Sequence, residues 1–187
     1  MSAPVIVLGV TGSIAAYKAA DLASKMVKRG WEVHVAMTRG AQEFITPLTL
    51  HTLSRNPVLT SPFEDAPGWK PAHIDLADRA NLLLIAPATA HILAELAHGF
   101  AGNAITEIAL ATLAPLLVAP AMNGKMWQHA ATQQNVALLR ARNVQFIGPE
   151  EKGMLACGYE GEGRMEEVDA IIAAAERILA NTAQSSG

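Results

Sequence analysis

Short continuous apolar runs recur along the chain, separated by longer stretches in which apolar residues repeat every three or four positions. The short runs are typical of strands buried on both faces, and the longer repeats are typical of amphipathic helices. The predicted strands are PVIVLGV, WEVHVAMT, NLLLIAP, PLLVAP and NVQFIGP. Helices are predicted over SIAAYKAADLASKMVKRG, which Gly30 closes, and near residues 89–112, 126–142 and 166–181.

The order of these elements predicts how the strands pair. A strand, a helix and a second strand within about 40 residues form a βαβ unit, whose crossover makes the two strands parallel. We therefore predict an α/β protein with a three-layer, Rossmann-like (flavodoxin-like) fold, in which helices cover both faces of an open parallel β-sheet. The Pro-rich segment 55–72 and the Gly-rich segment 148–165 are predicted to be irregular. Residues 1–181 are predicted to form one domain and 182–187 a flexible tail.

Composition and charge narrow the class of protein. The chain has 187 residues, 51% of them apolar, and a net charge of −3, which gives no electrostatic basis for binding nucleic acid or an anionic membrane. No apolar run approaches the roughly 20 residues of a membrane-spanning helix, and the start MSAPVIVLGV lacks the basic region of a signal peptide. The single cysteine, Cys157, excludes an internal disulfide and favours a reducing cytoplasm. These features predict a cytoplasmic protein.

Two glycine- and hydroxyl-rich turns follow predicted strands, at the edge where open parallel sheets bind ligands. In GVTGSIAAYK, the small residues Gly9, Thr11, Gly12 and Ser13 would let backbone N–H groups at a helix start approach an anion. In APATAHI, Thr89 could cap a helix and present its hydroxyl and N–H to the same anion. Either turn alone also fits an ordinary tight turn or helix cap, but the pair favours a shared phosphate cradle. Neither turn has the dinucleotide or Walker spacing.

Three further stretches carry candidate chemistry. His73 in PAHIDLADRA is either an active-site base or a packing residue, and the histidine spacing predicts no metal site. Cys157 in GMLACGYEGEGRM is either part of a mobile flap over a substrate or a small buried hydrophobe, and the glycine content favours the flap. The loop PAMNGKMW places the uncharged Asn123 between two methionines and a tryptophan, which fits either a well-packed turn or a binding loop.

Taken together, these stretches resemble the flavin-dependent cysteine decarboxylase family, and within it the branch that serves coenzyme A biosynthesis. The residues that carry the resemblance are GSIAAYK at 12–18, HI at 73–74, APATA at 86–90, PAMNGKMW at 120–127 and ACGYEGEGRM at 156–165. They occur in the family's order, and PAMNxxMW is the most specific of them. The chain departs from the family at His91, where members commonly have Asn or Asp.

The resemblance implies an FMN cofactor and assigns residues to it. The phosphate is expected near Gly12, Ser13 and Thr89, and the ring near Thr38 and Phe44. The complete set of cofactor-binding residues that we expect is Gly12, Ser13, Ile14, Thr38, Phe44, Pro87, Ala88, Thr89 and Met122.

The resemblance also implies a substrate, 4′-phosphopantothenoylcysteine, and roles for the remaining candidates. Asn123 is expected to hold the substrate carboxylate, with Met154 and Ala156 contacting the pantetheine arm. His73 is expected to act as the base, or to orient the reacting thiol, and Cys157 to act as the acid. These roles together amount to oxidation, loss of CO₂, protonation and re-reduction.

Partners and rival functions follow from the same resemblance. It implies a homotrimer, in bacteria often assembled into a homododecamer, and a phosphopantothenate-cysteine ligase as a partner or fused domain. The rival functions within related folds are a peptidyl-cysteine decarboxylase, a flavin prenyltransferase and a non-catalytic regulatory subunit. A peptidyl-cysteine decarboxylase stops at the enethiol and needs no proton donor on the flap, so Cys157 argues against it.

Overall fold

The computed structural model describes residues 3–63, 70–150 and 162–185, with side chains as far as residue 182. Its sheet has six parallel strands, in the order β3-β2-β1-β4-β5-β6. The strands are β1 (Val5–Val10), β2 (Glu32–Met37), β3 (Val58–Leu59), β4 (Leu82–Ala88), β5 (Leu116–Pro120) and β6 (Gln145–Phe146). This arrangement confirms the predicted α/β class, and its strand order is that of a Rossmann sheet.

Nine α-helices and one 3₁₀ helix connect and cover the strands in the described ranges. The 3₁₀ helix spans Ile14–Tyr17 and leads directly into α1. The α-helices are α1 (Lys18–Lys28), α2 (Arg39–Gln42), α3 (Pro47–Ser54), α4 (Ala72–Arg79), α5 (Ala90–His98), α6 (Ala104–Ala111), α7 (Gly124–Gln128), α8 (Ala130–Ala141) and α9 (Val168–Ser185). None of the described helices is both long enough and apolar enough to cross a membrane.

Alternate residues of the central strands pack into two separate hydrophobic cores. On β1, Ile6, Leu8 and Val10 face one core, which α1, α3 and α9 complete. Val7 faces the other core, where α4, α5, α6 and α8 supply the apolar side chains. Because both faces of the strand are buried, its sequence is a continuous apolar run rather than an alternating one.

Two predicted helices are each divided in the structure. The prediction of one helix near 89–112 is wrong, because α5 ends at Gly99 with φ of 71° and α6 begins only after Asn103. The Asn103 side-chain oxygen accepts the backbone N–H groups of Ile105 and Thr106 at 3.1 and 3.2 Å, which starts a new helix. The helix predicted near 126–142 is divided in the same way at His129, which ends α7 and caps α8.

The sequence pattern also missed three short elements. β3 lies in the segment predicted to be irregular and pairs only Val58 and Leu59 with β2. Helices α2 and α3 were not predicted either, although Thr38 and Thr46 cap their first turns. At the other end of the chain, α9 extends to Ser185, into the segment predicted to be a tail.

The topology leaves a crevice between β1 and β4. These strands are neighbours in the sheet, yet the helix after β1 packs in one core and the helix after β4 packs in the other. In open α/β sheets such a reversal point, at the carboxyl ends of the strands, is where ligands bind. The turns predicted to hold a phosphate leave β1 and β4 at this point.

Candidate functional site

One buried hydroxyl connects the turns that follow β1 and β4. Thr11 donates its hydroxyl proton to the carbonyl oxygen of Pro87 at 2.6 Å, and its oxygen accepts the backbone N–H of Thr89 at 3.1 Å. Thr89 in turn caps α5 by accepting the N–H of Ile92 at 3.3 Å. The expectation that Thr89 offers its backbone N–H to an anion is therefore wrong, because Thr11 already accepts that N–H. A hydroxyl that accepts one hydrogen bond still has a proton to donate, so the Thr89 hydroxyl can contact an anion.

The turns after β1 and β2 pack backbone against backbone. A Cβ atom on Gly12 would lie 2.9 Å from the carbonyl carbon of Gly40, so no larger residue fits at Gly12 without movement. On either side of this contact, Ser13 caps the 3₁₀ helix and Thr38 caps α2. The hydroxyl-bearing caps Ser13, Thr38 and Thr89 therefore follow three neighbouring strands, β1, β2 and β4.

Apolar side chains stand exposed beside these turns. Ile14 is 57% exposed and Phe44 is 47% exposed, although both are large hydrophobic residues. Pro87 and Ala88, by contrast, are buried at the end of β4, where the pairing with β5 shifts register between Ile85 and Ala88. A planar aromatic ligand at this edge would cover the exposed side chains and rest against the end of the sheet.

The loop after β5 presents Asn123 at the same edge. The Asn123 side-chain oxygen accepts the N–H of Lys125 at 2.9 Å, which caps α7 and orients the amide group. Met122 and Trp127 are half-buried against the core that contains α5 and α8, whereas Met126 is 51% exposed. Two of the three apolar residues of this loop therefore anchor it.

The end of the Gly-rich segment packs directly on this loop. The N–H of Met122 donates to the carbonyl oxygen of Gly163 at 2.9 Å. Gly163 has φ of +123°, and a Cβ atom there would lie 2.3 Å from the Met122 carbonyl oxygen. Glycine is required at this position both by the backbone conformation and by the space around it.

Both ends of segment 151–161 meet beside the loop. The N–H of Glu150 donates to the carbonyl oxygen of Arg164 at 2.9 Å, and their side chains lie 3.6 Å apart. Burial raises the pKa of the Glu150 carboxyl, and the Arg164 guanidinium opposes that shift. The buried Lys18, from the GSIAAYK motif, places its Nζ 3.4 Å from both the Met165 carbonyl oxygen and a Glu167 carboxylate oxygen.

Three predicted site residues fall between those ends. Cys157, Met154 and Ala156 lie outside the described residues, so their roles stay predictions. The described residues that flank their segment contact each other, Glu150 with Arg164, and Gly163 contacts Met122.

His73 faces a carboxylate that the sequence reasoning missed. His73 lies in the first turn of α4, and its Nδ1 is 3.4 Å from Oε2 of Glu107, in the first turn of α6. The contact is within ion-pair distance, but neither atom makes a hydrogen bond of good geometry with any described residue. The only sequence signal was one acidic residue in the otherwise uncharged helix AITEIALA. His91, by comparison, is exposed and 3.5 Å from Glu95.

A surface cavity of about 350 Å³ lies between the start of α5 and the α7–α8 region. Two of its lining residues, Ala90 and Lys125, closely follow Thr89 and Asn123 in the sequence, so the cavity lies beside the turns described above. Its lining residues are Ala90, Lys125, Met126, His129 and Thr132.

Comparisons with known proteins agree with this architecture. The model of the family named Flavoprotein matches residues 1–179. A protein of Streptococcus mutans named "Probable phosphopantothenoylcysteine decarboxylase" is 47% identical over 176 residues, which cover 93% of this chain and 98% of that protein. The coenzyme A biosynthesis bifunctional protein CoaBC of Vibrio vulnificus is 46% identical over 93% of this chain but only 43% of its own length. The chain thus spans less than half of that bifunctional relative.

Comparison with solved structures agrees with the sequence comparisons. A PPC decarboxylase mutant complexed with pantothenoylaminoethenethiol superposes with a TM-score of 0.82 at 30% identity, covering 93% of this chain and 97% of the other. The FMN-dependent cysteine decarboxylase SpaF superposes with a TM-score of 0.78 at 29% identity, covering 93% and 98% of the two chains.

The Thr11 bridge can be tested with Thr11→Val, which keeps the shape and removes the hydroxyl. The Pro87 carbonyl and the Thr89 N–H would lose their partner in a buried place, which costs about 1–3 kcal/mol. Urea unfolding should show that loss, whereas Thr11→Ser, which keeps the hydroxyl, should retain most of the stability. Equal stability of the Val and Ser variants would contradict the bridge.

The Gly163 contact can be tested with Gly163→Ala. The new methyl group would collide with the Met122 carbonyl, so we expect a larger loss than the roughly 1–2 kcal/mol of left-handed strain alone. Gly99→Ala is the matched control, because Gly99 also has positive φ but a methyl group added there would have nothing within 4 Å. Thermal unfolding of both variants compares the two costs, and a smaller loss for Gly163→Ala would be the contrary result.

Proposed function

The chain belongs to the Flavoprotein family, and on that premise we propose that it catalyses the FMN-dependent decarboxylation of 4′-phosphopantothenoylcysteine to 4′-phosphopantetheine in coenzyme A biosynthesis. The observation that carries the proposal is the assembly at one sheet edge. There, the turns joined by Thr11 adjoin the Asn123 loop, and Gly163 contacts the same loop through its backbone. The 47% identity to a decarboxylase relative along almost its whole length supports the same substrate.

The residues at this edge fit FMN. Gly12, Ser13 and Thr89 lie at helix starts, where the helix dipole favours a phosphate, and the Ser13 and Thr89 hydroxyls each have a proton to donate to it. The exposed apolar surfaces of Ile14 and Phe44 would pack on the ring. When bound, FMN supplies a hydride acceptor and donor. The remaining ring and ribose contacts would come from Thr38, Pro87, Ala88 and Met122.

Asn123 would hold the substrate carboxylate. Loss of CO₂ from the cysteine needs an electron sink, which forms when the CH₂–SH group has been oxidised to a thioaldehyde. A fixed cation would stabilise the carboxylate that must be lost, whereas an uncharged amide can orient it without that penalty. The cap to Lys125 holds the Asn123 amide in one orientation, and the half-buried Met122 and Trp127 hold the loop.

His73 and Cys157 would move the protons. His73 would accept the proton of the substrate thiol during oxidation, which suits an imidazole. As the C–C bond breaks and CO₂ leaves, the electron pair of that bond enters the C=S group to give an enethiolate. Cys157 would protonate that enethiolate, which regenerates a thioaldehyde ready for reduction to the saturated thiol. Backbone groups at Met154 and Ala156 would contact the pantetheine arm.

We further propose that the protein works in the cytoplasm as a homo-oligomer, a trimer or a dodecamer built from trimers. Large exposed hydrophobic side chains, among them Phe100, Leu110 and Leu113, support an interface near α6. The ligase that supplies phosphopantothenoylcysteine would be a partner or a fused domain, as the bifunctional relative suggests.

The central test is the purified protein itself. It should be yellow, release FMN on denaturation, and release CO₂ from phosphopantothenoylcysteine, with mass spectrometry identifying both the pigment and the saturated product. FAD or a colourless protein would contradict the cofactor proposal. Turnover of peptides with a C-terminal cysteine, without turnover of phosphopantothenoylcysteine, would replace the proposed substrate.

Asn123→Asp should retain flavin but lose turnover. The change is nearly isosteric, but it sets a carboxylate against the substrate carboxylate in a closed site, so we expect a fall in kcat/KM of about 100-fold or more. Asn143→Asp is the matched control, because Asn143 is exposed in the turn before β6. Activity of Asn123→Asp within about threefold of wild type, half a unit on a logarithmic scale, would exclude the carboxylate clamp.

Cys157→Ser separates the proton-donor role from packing. A hydroxyl is a far weaker acid than a thiol, so the variant should decarboxylate its substrate but stall at the enethiolate. In air, we expect a product that lacks two hydrogen atoms relative to phosphopantetheine, as read by mass spectrometry. If the saturated product remains the main one, Cys157 is not the acid.

A further inference from the structure

A partly buried carboxyl group, that of Glu107, lies beside His73 and has no part in the mechanism above. The side chains of His73 and Glu107 are only 19% and 22% exposed. Their facing atoms, Nδ1 and Oε2, are the only buried side-chain nitrogen or oxygen atoms without a hydrogen-bond partner in the described part of the chain. Buried polar groups are normally paired, so this one exception indicates a functional arrangement.

Two packed helices fix the separation of these residues. The hydroxyl of Thr112, just after α6, donates to the Ala77 carbonyl oxygen of α4 at 2.8 Å. Leu76 of α4 and Ile108 of α6 belong to the same buried core. The Ile105 side chain also comes within 3.0 Å of the Cβ position on Gly9, which sets α6 against the carboxyl half of β1. The packing of α4 against α6 therefore fixes the backbone of Glu107 in front of that of His73.

Charge and hydrogen-bonding capacity decide what this pair does. A carboxylate only accepts hydrogen bonds, so a hydrogen bond formed across the 3.4 Å contact has to be donated by Nδ1–H of His73. Glu107 lies at the start of α6, where the helix dipole favours a negative charge. His73 lies at the start of α4, where the same effect disfavours a positive charge. A base in that position needs a neighbouring anion to offset the charge it acquires.

We propose that Glu107 is the positioning residue for His73. It accepts the Nδ1–H proton, which fixes the tautomer and leaves the lone pair on Nε2. Nε2 then takes the thiol proton: the S–H bond of the substrate breaks as the Nε2–H bond forms, and Glu107 stabilises the imidazolium until solvent removes the proton. The role of Nε2 rests on the proposed function, whereas the tautomer does not.

The tautomer is the first test. Long-range ¹H–¹⁵N spectra of the labelled holoprotein report which ring nitrogen carries the proton, and His73→Asn assigns the signal. We expect Nδ1–H in wild type and in Glu107→Gln, whose amide oxygen still accepts, and loss of that preference in Glu107→Leu. An Nε2–H tautomer in wild type, or an unchanged signal in Glu107→Leu, would overturn the proposal.

The second test separates positioning from folding. The limiting rate of flavin bleaching by phosphopantothenoylcysteine under anaerobic conditions should fall about 10- to 100-fold in Glu107→Gln, with substrate affinity unchanged. On a His73→Asn background the same substitution should have no further effect, because Glu107 acts only through His73. Glu176→Gln on α9, which removes an exposed ion pair with Arg29, is the matched control and should leave the rate unchanged.

The two tests distinguish failure of this inference from failure of the proposed function. If wild type decarboxylates its substrate but the Glu107→Gln effect is additive with that of His73→Asn, the positioning role alone is wrong. If wild type does not act on the substrate, the tautomer in wild type and Glu107→Leu still decides whether Glu107 orients His73.

Discussion

The hydroxyl of Thr11 pairs two backbone groups that the sheet topology leaves without partners in the strand ladder. β1 and β4 are neighbours, but their helices depart to opposite faces, so backbone groups at the reversal point lose the ladder that paired them. Thr11 donates to one such group, the Pro87 carbonyl, and accepts from another, the Thr89 N–H. Because buried backbone groups need partners, this one side chain holds the two turns together. The positions of Ser13 and Thr89 relative to each other depend on it.

A small number of contacts also joins the last part of the chain to the first. Lys18 follows the β1 turn and reaches Met165 and Glu167, while Gly163 lets the same segment lie on the Asn123 loop. Residues 163–167, which follow the Gly-rich segment, are thus held by contacts from α1 and from the Asn123 loop.

How far the sequence predicts this protein depends on the range of the interaction. Continuous apolar runs revealed the long strands, and Gly12, Ser13, Thr89 and Asn123 were recognisable because they follow those strands directly. The two-residue β3 carries too few residues to form a pattern. The break before α6 depended on the capping preference of Asn103, which a helical apolar repeat conceals. The contacts that were missed join distant partners: Thr11 bonds residues 76 and 78 positions away, and Lys18 bonds one 147 positions away. The pairing of His73 with Glu107 requires that α4 and α6 pack side by side, which no local spacing encodes.

The outermost strands have a consequence for assembly. β3 and β6 contain only two residues each, so each border of the sheet offers few unsatisfied backbone groups to another chain. Short borders of this kind prevent sheets from joining into continuous ribbons. Pairing of strands across these borders would therefore form few hydrogen bonds, which disfavours open-ended polymerisation through the sheet.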